Sequence, residues 1–207
     1  MCGAFCQKGE YLLMKVLLIN GSPHEKGCTY TALSLIAGEL NASGIGTEIL
    51  NVGTKPVGGC IGCGGCRSGN GCVFGGVVNE AIEKAKTADA FVFGTPVHYA
   101  SASGNMTSFM DRLAYAGGKY LAYKPAAICA SARRAGTTTT LDQLVKYPEF
   151  FHMPLVSGSY WPMVHGSKPE QVLEDAEGCA VMRELGRNMA WLLKCIELGK
   201  ANGITHP

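Results

Sequence analysis

The chain has 207 residues, 47% of them hydrophobic and 16% charged, and a formal net charge of +2. That length and balance describe one core-forming domain and exclude a disordered polymer. The small net charge, with no Lys/Arg-rich run, excludes the electrostatic footprint of a nucleic-acid binder, and no apolar run reaches the length of a membrane span.

Residues 1–13 precede the first strand pattern and read as an N-terminal extension. They lack the continuous apolar stretch of a signal peptide, being broken by Lys8 and Glu10. Ten cysteines in a spacing unlike a secreted disulfide scaffold point to a reducing cytoplasm.

Residues 15–20, KVLLIN, form a short apolar run of the kind buried on both faces of a parallel sheet. A loop over 21–29 leads to a helix over 30–42, with Leu33, Ile36, Ala37 and Leu40 on one face. A second strand is expected at 47–52. After a cysteine-rich loop at 58–76 comes a helix over 77–87, with Val78, Ile82 and Ala85 turned inward. The third strand, 90–93, runs into a loop over 95–105. A helix over 103–115 then carries Met106, Phe109, Met110 and Leu113. The fourth strand at 125–130 is followed by a loop at 131–140 and a helix over 138–146. The fifth strand is expected at 155–159. A last helix over 178–198 shows Met182, Leu185, Met189, Leu192 and Ile196 in a core-facing stripe. Cys129, Cys179 and Cys195 read as small buried hydrophobes. Five alternations of strand and helix predict a single doubly wound α/β domain over 14–207, with a five-stranded parallel sheet.

The segment 58–76, GGCIGCGGCRSGNGCVFGG, is nine-nineteenths glycine and has no acidic residue. Glycine offers nothing to pack and loses much backbone entropy, so a core does not hold this loop. Cys60, Cys63, Cys66 and Cys72 lie in a Cys-x2-Cys-x2-Cys-x5-Cys run, with Lys55 and Arg67 nearby. Short runs of this kind are typical of iron–sulfur ligation, whereas zinc more often takes two Cys-x2-Cys pairs set further apart. A 4Fe–4S cluster, a zinc ion and unmetallated thiols are the three readings the spacing leaves open.

Three further loops leave strands at the carboxyl edge, where open α/β sheets bind ligands. The loop 21–29, GSPHEKGCT, ends at a helix start and suits an anion. It has no Gly-Lys-[Ser/Thr] at Walker spacing, which favours a monophosphate over a triphosphate. The loop 95–105, TPVHYASASGN, presents a backbone able to lie against a planar ligand, with His98 and Tyr99 in reach. The loop 131–140, SARRAGTTTT, supplies Arg133 and Arg134.

Together these segments resemble the flavodoxin-like NAD(P)H-dependent FMN reductase superfamily, and the cysteine run is similar to that of its iron–sulfur flavoprotein branch. The resemblance implies non-covalent FMN, with its phosphate on Ser22, His24, Cys28, Thr29 and Tyr30. Its ring would lie against Pro96, Val97, His98 and Tyr99, and against Ser131, Arg133, Arg134 and Gly136. A 4Fe–4S cluster on Cys60, Cys63, Cys66 and Cys72 would relay electrons to the FMN of an oxidoreductase. A homodimer or tetramer, a ferredoxin-like donor or NAD(P)H, and no nucleic-acid or membrane partner are also implied. His24 and Cys28 stand where the family commonly has Arg and Asn, and the acidic pair that often follows the last cysteine is VFGGVV here. Two other readings are a cluster-free NAD(P)H-dependent FMN or quinone reductase, and a non-enzymatic flavodoxin-like carrier. A thiol-based or zinc-binding regulator is the third.

Overall fold

Alternation along the first strand, β1 (Lys15–Asn20), sets the architecture. Val16 and Leu18 enter one apolar layer, while Leu17 and Ile19 enter the other. The computed structural model describes residues 14–206, so the extension 1–13, with Cys2 and Cys6, lies outside the described residues. The helices are α1 (Cys28–Ala42), α2 (Val77–Thr87), α3 (Gly104–Gly117), α4 (Thr137–Phe150), α5 (Pro169–Glu174) and α6 (Ala176–Ala201). One face of the sheet carries α2, α3 and α4, packed on Leu17, Ile19, Phe91 and Phe93. The other carries α1, α5 and α6, packed on Val16, Leu18 and Val92.

The remaining strands are β2 (Gly46–Asn51), β3 (Ala90–His98), β4 (Ser101–Ala102), β5 (Ala126–Ala132) and β6 (Met163–His165). They order as β2-β1-β3-β5-β6, all parallel, with β4 antiparallel to the end of β3. The chain goes from β1 to β2 on one side and then crosses to β3 on the other. The crevice beyond the ends of β1 and β3 is therefore the switch point. Gly21 N–H donates to Gly94 O at 2.8 Å, and Ser103 Oγ donates to Gly21 O at 2.8 Å, closing that crevice at its base.

Three expectations need correction. First, β3 extends to His98, and much of the expected loop 95–105 is the end of this strand plus a tight hairpin. Its turn residues, Tyr99 and Ala100, have φ of 52° and 59°. Neither is glycine, so the turn carries strain of about 1–3 kcal/mol per residue. The α4 side chains hold it: Gln143 Oε1 accepts from Ala102 N–H and Ser101 Oγ, and Thr139 Oγ donates to Ala100 O.

Second, the fifth strand is β6, not 155–159. Leu155 makes one isolated parallel bridge to Ala126, after which the chain detours and rejoins the same neighbour at Met163. Gly158 and Pro162 flank the detour, and α6 captures it through Glu184 and Asn188. Third, Cys195 is exposed, whereas Cys129 and Cys179 are buried. The inward face of α6 runs through Met182, Leu185, Met189 and Leu193, and Cys195 lies off it. Among the described residues no helix is long and apolar enough to cross a membrane.

An ion-pair cluster joins β1, β2 and α2 at the edge. Glu48 accepts from Lys15 Nζ at 2.5 Å and pairs with Lys84 Nζ at 2.6 Å. Hydrogen bonds from Lys15, then Lys84, hold the Glu48 carboxyl below its ordinary range. A carboxyl whose folded pKa lies below its unfolded one stabilises above the unfolded value and ceases to do so as pH falls through the folded value. Glu48→Gln is expected to lower the thermal midpoint slightly at pH 7 and to leave it unchanged at a pH below that lowered value. Paired melting curves across acid pH check this.

Candidate functional site

The first loop ends on a helix with no side-chain cap. The N-cap position of α1 is Gly27, and its first turn contains no acidic residue. The N–H groups of Cys28, Thr29 and Tyr30 have no partner inside the helix, so they form a cradle for an anion. Ser22 is buried; its N–H donates to Asn20 Oδ1 at 3.1 Å, and its Oγ accepts from His24 N–H at 3.1 Å. Thr29 Oγ lies 2.7 Å from Ser131 Oγ, joining the first loop to the third. Burial, and then the nearby Glu170 charge, push the Cys28 thiol up despite an opposing backbone hydrogen bond. It is a neutral thiol at pH 7, with Gly166 O at 3.5 Å. His24 is exposed, and Tyr30 is half-buried.

The second and third loops meet at Gly136. Its φ is +98°, and a Cβ there would come within 2.7 Å of Ala100 Cα and 3.1 Å of Val97. Pro96 and Val97 are half-buried, while His98 is exposed and Tyr99 stands fully in solvent at the hairpin tip. Ser131 is buried, and Arg133 and Arg134 are exposed. A concavity of about 390 Å³ takes its walls from Gly21, Pro23, Val57, His98, Ser103 and Asn105. It thus joins the first loop, the end of β3, the start of α3 and Val57, just before the cysteine segment. The uncapped start of α1 suits a monophosphate, and of the residues expected to hold FMN, His98 is the one in this lining.

The cysteine segment is a second concavity, of about 280 Å³, and Cys60, Cys63, Cys66 and Cys72 all line it. Gly62, Gly64, Gly69, Gly71, Gly75 and Gly76 are left-handed, which lets the backbone turn between thiols. Cys60 and Cys63 are exposed, whereas Cys66 and Cys72 are half-buried. Arg67 and Arg112 are the charged residues of the lining, with no carboxylate among them. Among the described residues no three Cys, His, Asp or Glu side chains converge closely enough for a single ion. Four cysteine thiols lining one cavity beside two arginines are a donor set that would suit an anionic iron–sulfur cluster.

Sequence reading missed the residues that hold the segment. Arg112 is 7% exposed. Its Nε donates to Cys72 Sγ at 3.2 Å, Nη1 to Gly58 O at 3.3 Å and Nη2 to Gly75 O at 3.1 Å. The Phe74 ring centroid lies 5.6 Å from Cζ. Asn79 accepts from Cys72 N–H at 2.8 Å and donates back to Cys72 O at 3.0 Å. Asn105 accepts from Val57 N–H and donates to Gly53 O and Lys55 O. The signal for Arg112 was its place among Met106, Phe109, Met110 and Leu113: a charge in a core stripe needs partners.

Residues 14–168 match the family model described as NADPH-dependent FMN reductase. A protein of Methanocaldococcus jannaschii named iron-sulfur flavoprotein is 30% identical over 193 residues, covering 89% of this chain and all of that one. Another of that name, from Methanosarcina thermophila, is 22% identical over 189 residues, covering 89% of this chain and 97% of its own. Among solved structures, an archaeal flavodoxin aligns with a TM-score of 0.58 at 14% identity, over 87% of this chain and 99% of that one. An NAD(P)H:quinone oxidoreductase from Methanothermobacter marburgensis aligns at 0.64 and 17%, over 85% and 96%. At those identities the structures speak for the fold alone.

Replacing Arg112 strands the acceptors it now satisfies. Arg112→Leu is expected to cost about 2 kcal/mol in denaturant unfolding. Thiol labelling followed by mass spectrometry should find Cys72 modified as fast as Cys60 in the variant. Cys129, pushed up to about 12 by burial, stays unlabelled in both proteins.

Proposed function

The chain belongs to the NADPH-dependent FMN reductase family, in its iron–sulfur flavoprotein branch, and is an FMN-dependent oxidoreductase; within that frame we propose that a 4Fe–4S cluster on Cys60, Cys63, Cys66 and Cys72 relays electrons to the FMN. The observation that carries this reading is the shared cavity of the four thiols, braced by Arg112. FMN, once bound, takes up or releases electrons singly or in pairs, whereas a 4Fe–4S group handles them singly.

The chain's own residues bind, orient and shield. Ser22, Thr29 and the first-turn N–H groups of α1 would hold the phosphate, with His24 and Cys28 beside it. Pro96, Val97, His98 and Tyr99, together with Ser131, Arg133, Arg134 and Gly136, would hold the ring. Asn105 ties the start of the cysteine segment to the crevice through Gly53, Lys55 and Val57. Gly53 serves the same end, since a Cβ there would meet the Gly21 and Ser22 carbonyl oxygens at 2.5 Å and 2.3 Å.

Exposed Ile61, Val73, Phe74 and Tyr115 rim the cysteine cavity. An apolar rim of this kind supports a homodimer that covers the loop, or a ferredoxin-like donor docking on it. The exposure of Cys60 and Cys63 also favours a second reading. With the cluster lost in air, the chain acts as an NAD(P)H-dependent reductase of flavins or quinones. No membrane or nucleic-acid partner enters either scheme.

Aerobically purified protein is expected to show flavin absorbance with little iron. Anaerobic reconstitution with iron and sulfide should add a broad absorbance band and an EPR signal on reduction. Cys72→Ala should abolish both and leave FMN bound, whereas Ser22→Ala should weaken FMN about tenfold with iron content unchanged. Zinc in place of iron, or no metal under those conditions, refutes the cluster.

A further inference from the structure

The detour that breaks the fifth strand leaves one residue of β5 without its neighbour. Phe91 N–H donates to Pro125 O, so the odd-numbered residues of β5 bond to β3. Ala126, Ile128, Ala130 and Ala132 turn their N–H and C=O groups to the opposite edge. Ala126 N–H donates there to Pro154 O and its C=O accepts from Val156 N–H; Ala130 N–H donates to Pro162 O; Ala132 O accepts from Gly166 N–H. Among the described residues no hydrogen bond reaches Ile128 on that edge. A donor and an acceptor left facing a gap in a parallel ladder need a partner from elsewhere.

The gap opens into a concavity of about 480 Å³, walled by Ile128, Leu141, Val145, Leu155, Trp161 and Pro162. The detour that shapes it is pinned. Ser159 N–H and Oγ both donate to Glu184 Oε2, at 2.9 and 2.5 Å, and Asn188 Nδ2 donates to Ser157 O at 2.8 Å. Tyr160 and Trp161 meet edge to face with ring centroids 4.7 Å apart, and both remain half exposed. The place is thus an apolar slot with one aromatic wall and one extended residue, Ile128, whose N–H and C=O face the same edge.

We propose that this slot binds a small planar aromatic molecule carrying a carbonyl and an N–H on adjacent positions, as in a primary carboxamide or a ring lactam. An extended residue directs both its polar groups to the same side, and such a ligand answers them with an acceptor and a donor in the same plane. The two hydrogen bonds replace those of the missing strand residue, as in β-augmentation. The ring body displaces water from Leu141 and Val145 and packs on Trp161. A carboxylate is rejected, because it lacks the donor for Ile128 C=O and Asp142 stands in the same lining. The site lies on the β6 edge, outside the crevice and the cysteine cavity, and does not depend on the occupancy of either.

The test uses the full-length, FMN-loaded, aerobically purified chain and follows the Ile128 backbone amide by ¹⁵N NMR. The probes are nicotinamide for the carboxamide class, 2-quinolone for the lactam class, and methyl nicotinate, which has the ring and the acceptor but no N–H. Nicotinamide or 2-quinolone should shift Ile128 saturably, and which of them does so identifies the class. Methyl nicotinate should bind about tenfold more weakly. Trp161→Ala should weaken the active probe about fivefold without moving the Ser131 amide. The proposal is overturned if neither probe shifts Ile128 or if the ester binds as well as the amide. A shift that follows protein concentration instead of probe also overturns it, since the gap is then filled by a second copy of the chain.

Discussion

A buried guanidinium holds this molecule's most improbable segment in place. Nineteen residues so rich in glycine have no packing of their own, and three hydrogen bonds from Arg112 tie the segment at Gly58, Cys72 and Gly75. Taking that charge out of water is costly unless every donor direction finds an acceptor. Two loop carbonyls and a thiol supply an acceptor to each of its three nitrogens, so the loop partners the arginine while the arginine shapes the loop. Asn79 reads the Cys72 backbone from the other side, and the fourth cysteine becomes the best-fixed of the four.

The placement of Arg112 depends in turn on the sheet. α3 lies on the layer of Phe91, Phe93 and Phe109, and its apolar stripe fixes the face from which Arg112 emerges. The same helix begins with Ser103, which accepts from Met106 N–H and donates to Gly21 O, and with Asn105, which gathers the chain after β2. One helix therefore sets the floor of the crevice at its first turn and the brace of the cysteine cavity two turns later. The two sites are neighbours because they share a rigid rod.

Most of the fold was legible because parallel strands buried on both faces are continuous apolar runs, and KVLLIN, AFVF and PAAICA stand out as such. The helix faces were legible for the same reason of period, as with Leu33, Ile36, Ala37 and Leu40. Tertiary contacts overrode the local pattern in three places. Residues 155–159 have strand character, but the pull of Glu184 and Asn188 on the detour wins. Tyr99 and Ala100 are poor residues for a left-handed turn, and nothing local announces the hairpin that Gln143 and Thr139 impose. Cys195 has apolar neighbours, yet the face of a long helix is decided by what it lies against. Ser22, Thr29 and the four cysteines stand out in the sequence by their spacing. Arg112 and Asn79 do not, since their partners are backbone groups dozens of residues away or across a turn.

The unequal exposure of the four cysteines bears on how the protein matures. Cys66 and Cys72 sit half inside the fold and Cys60 and Cys63 outside it, so the cavity has a finished inner wall and an open outer one. Cys72 is fixed by Asn79 of α2 and Arg112 of α3, both parts of the folded domain. For the proposed cluster, entry and loss would both run through the open side, past Cys60 and Cys63, with no need to unfold the domain.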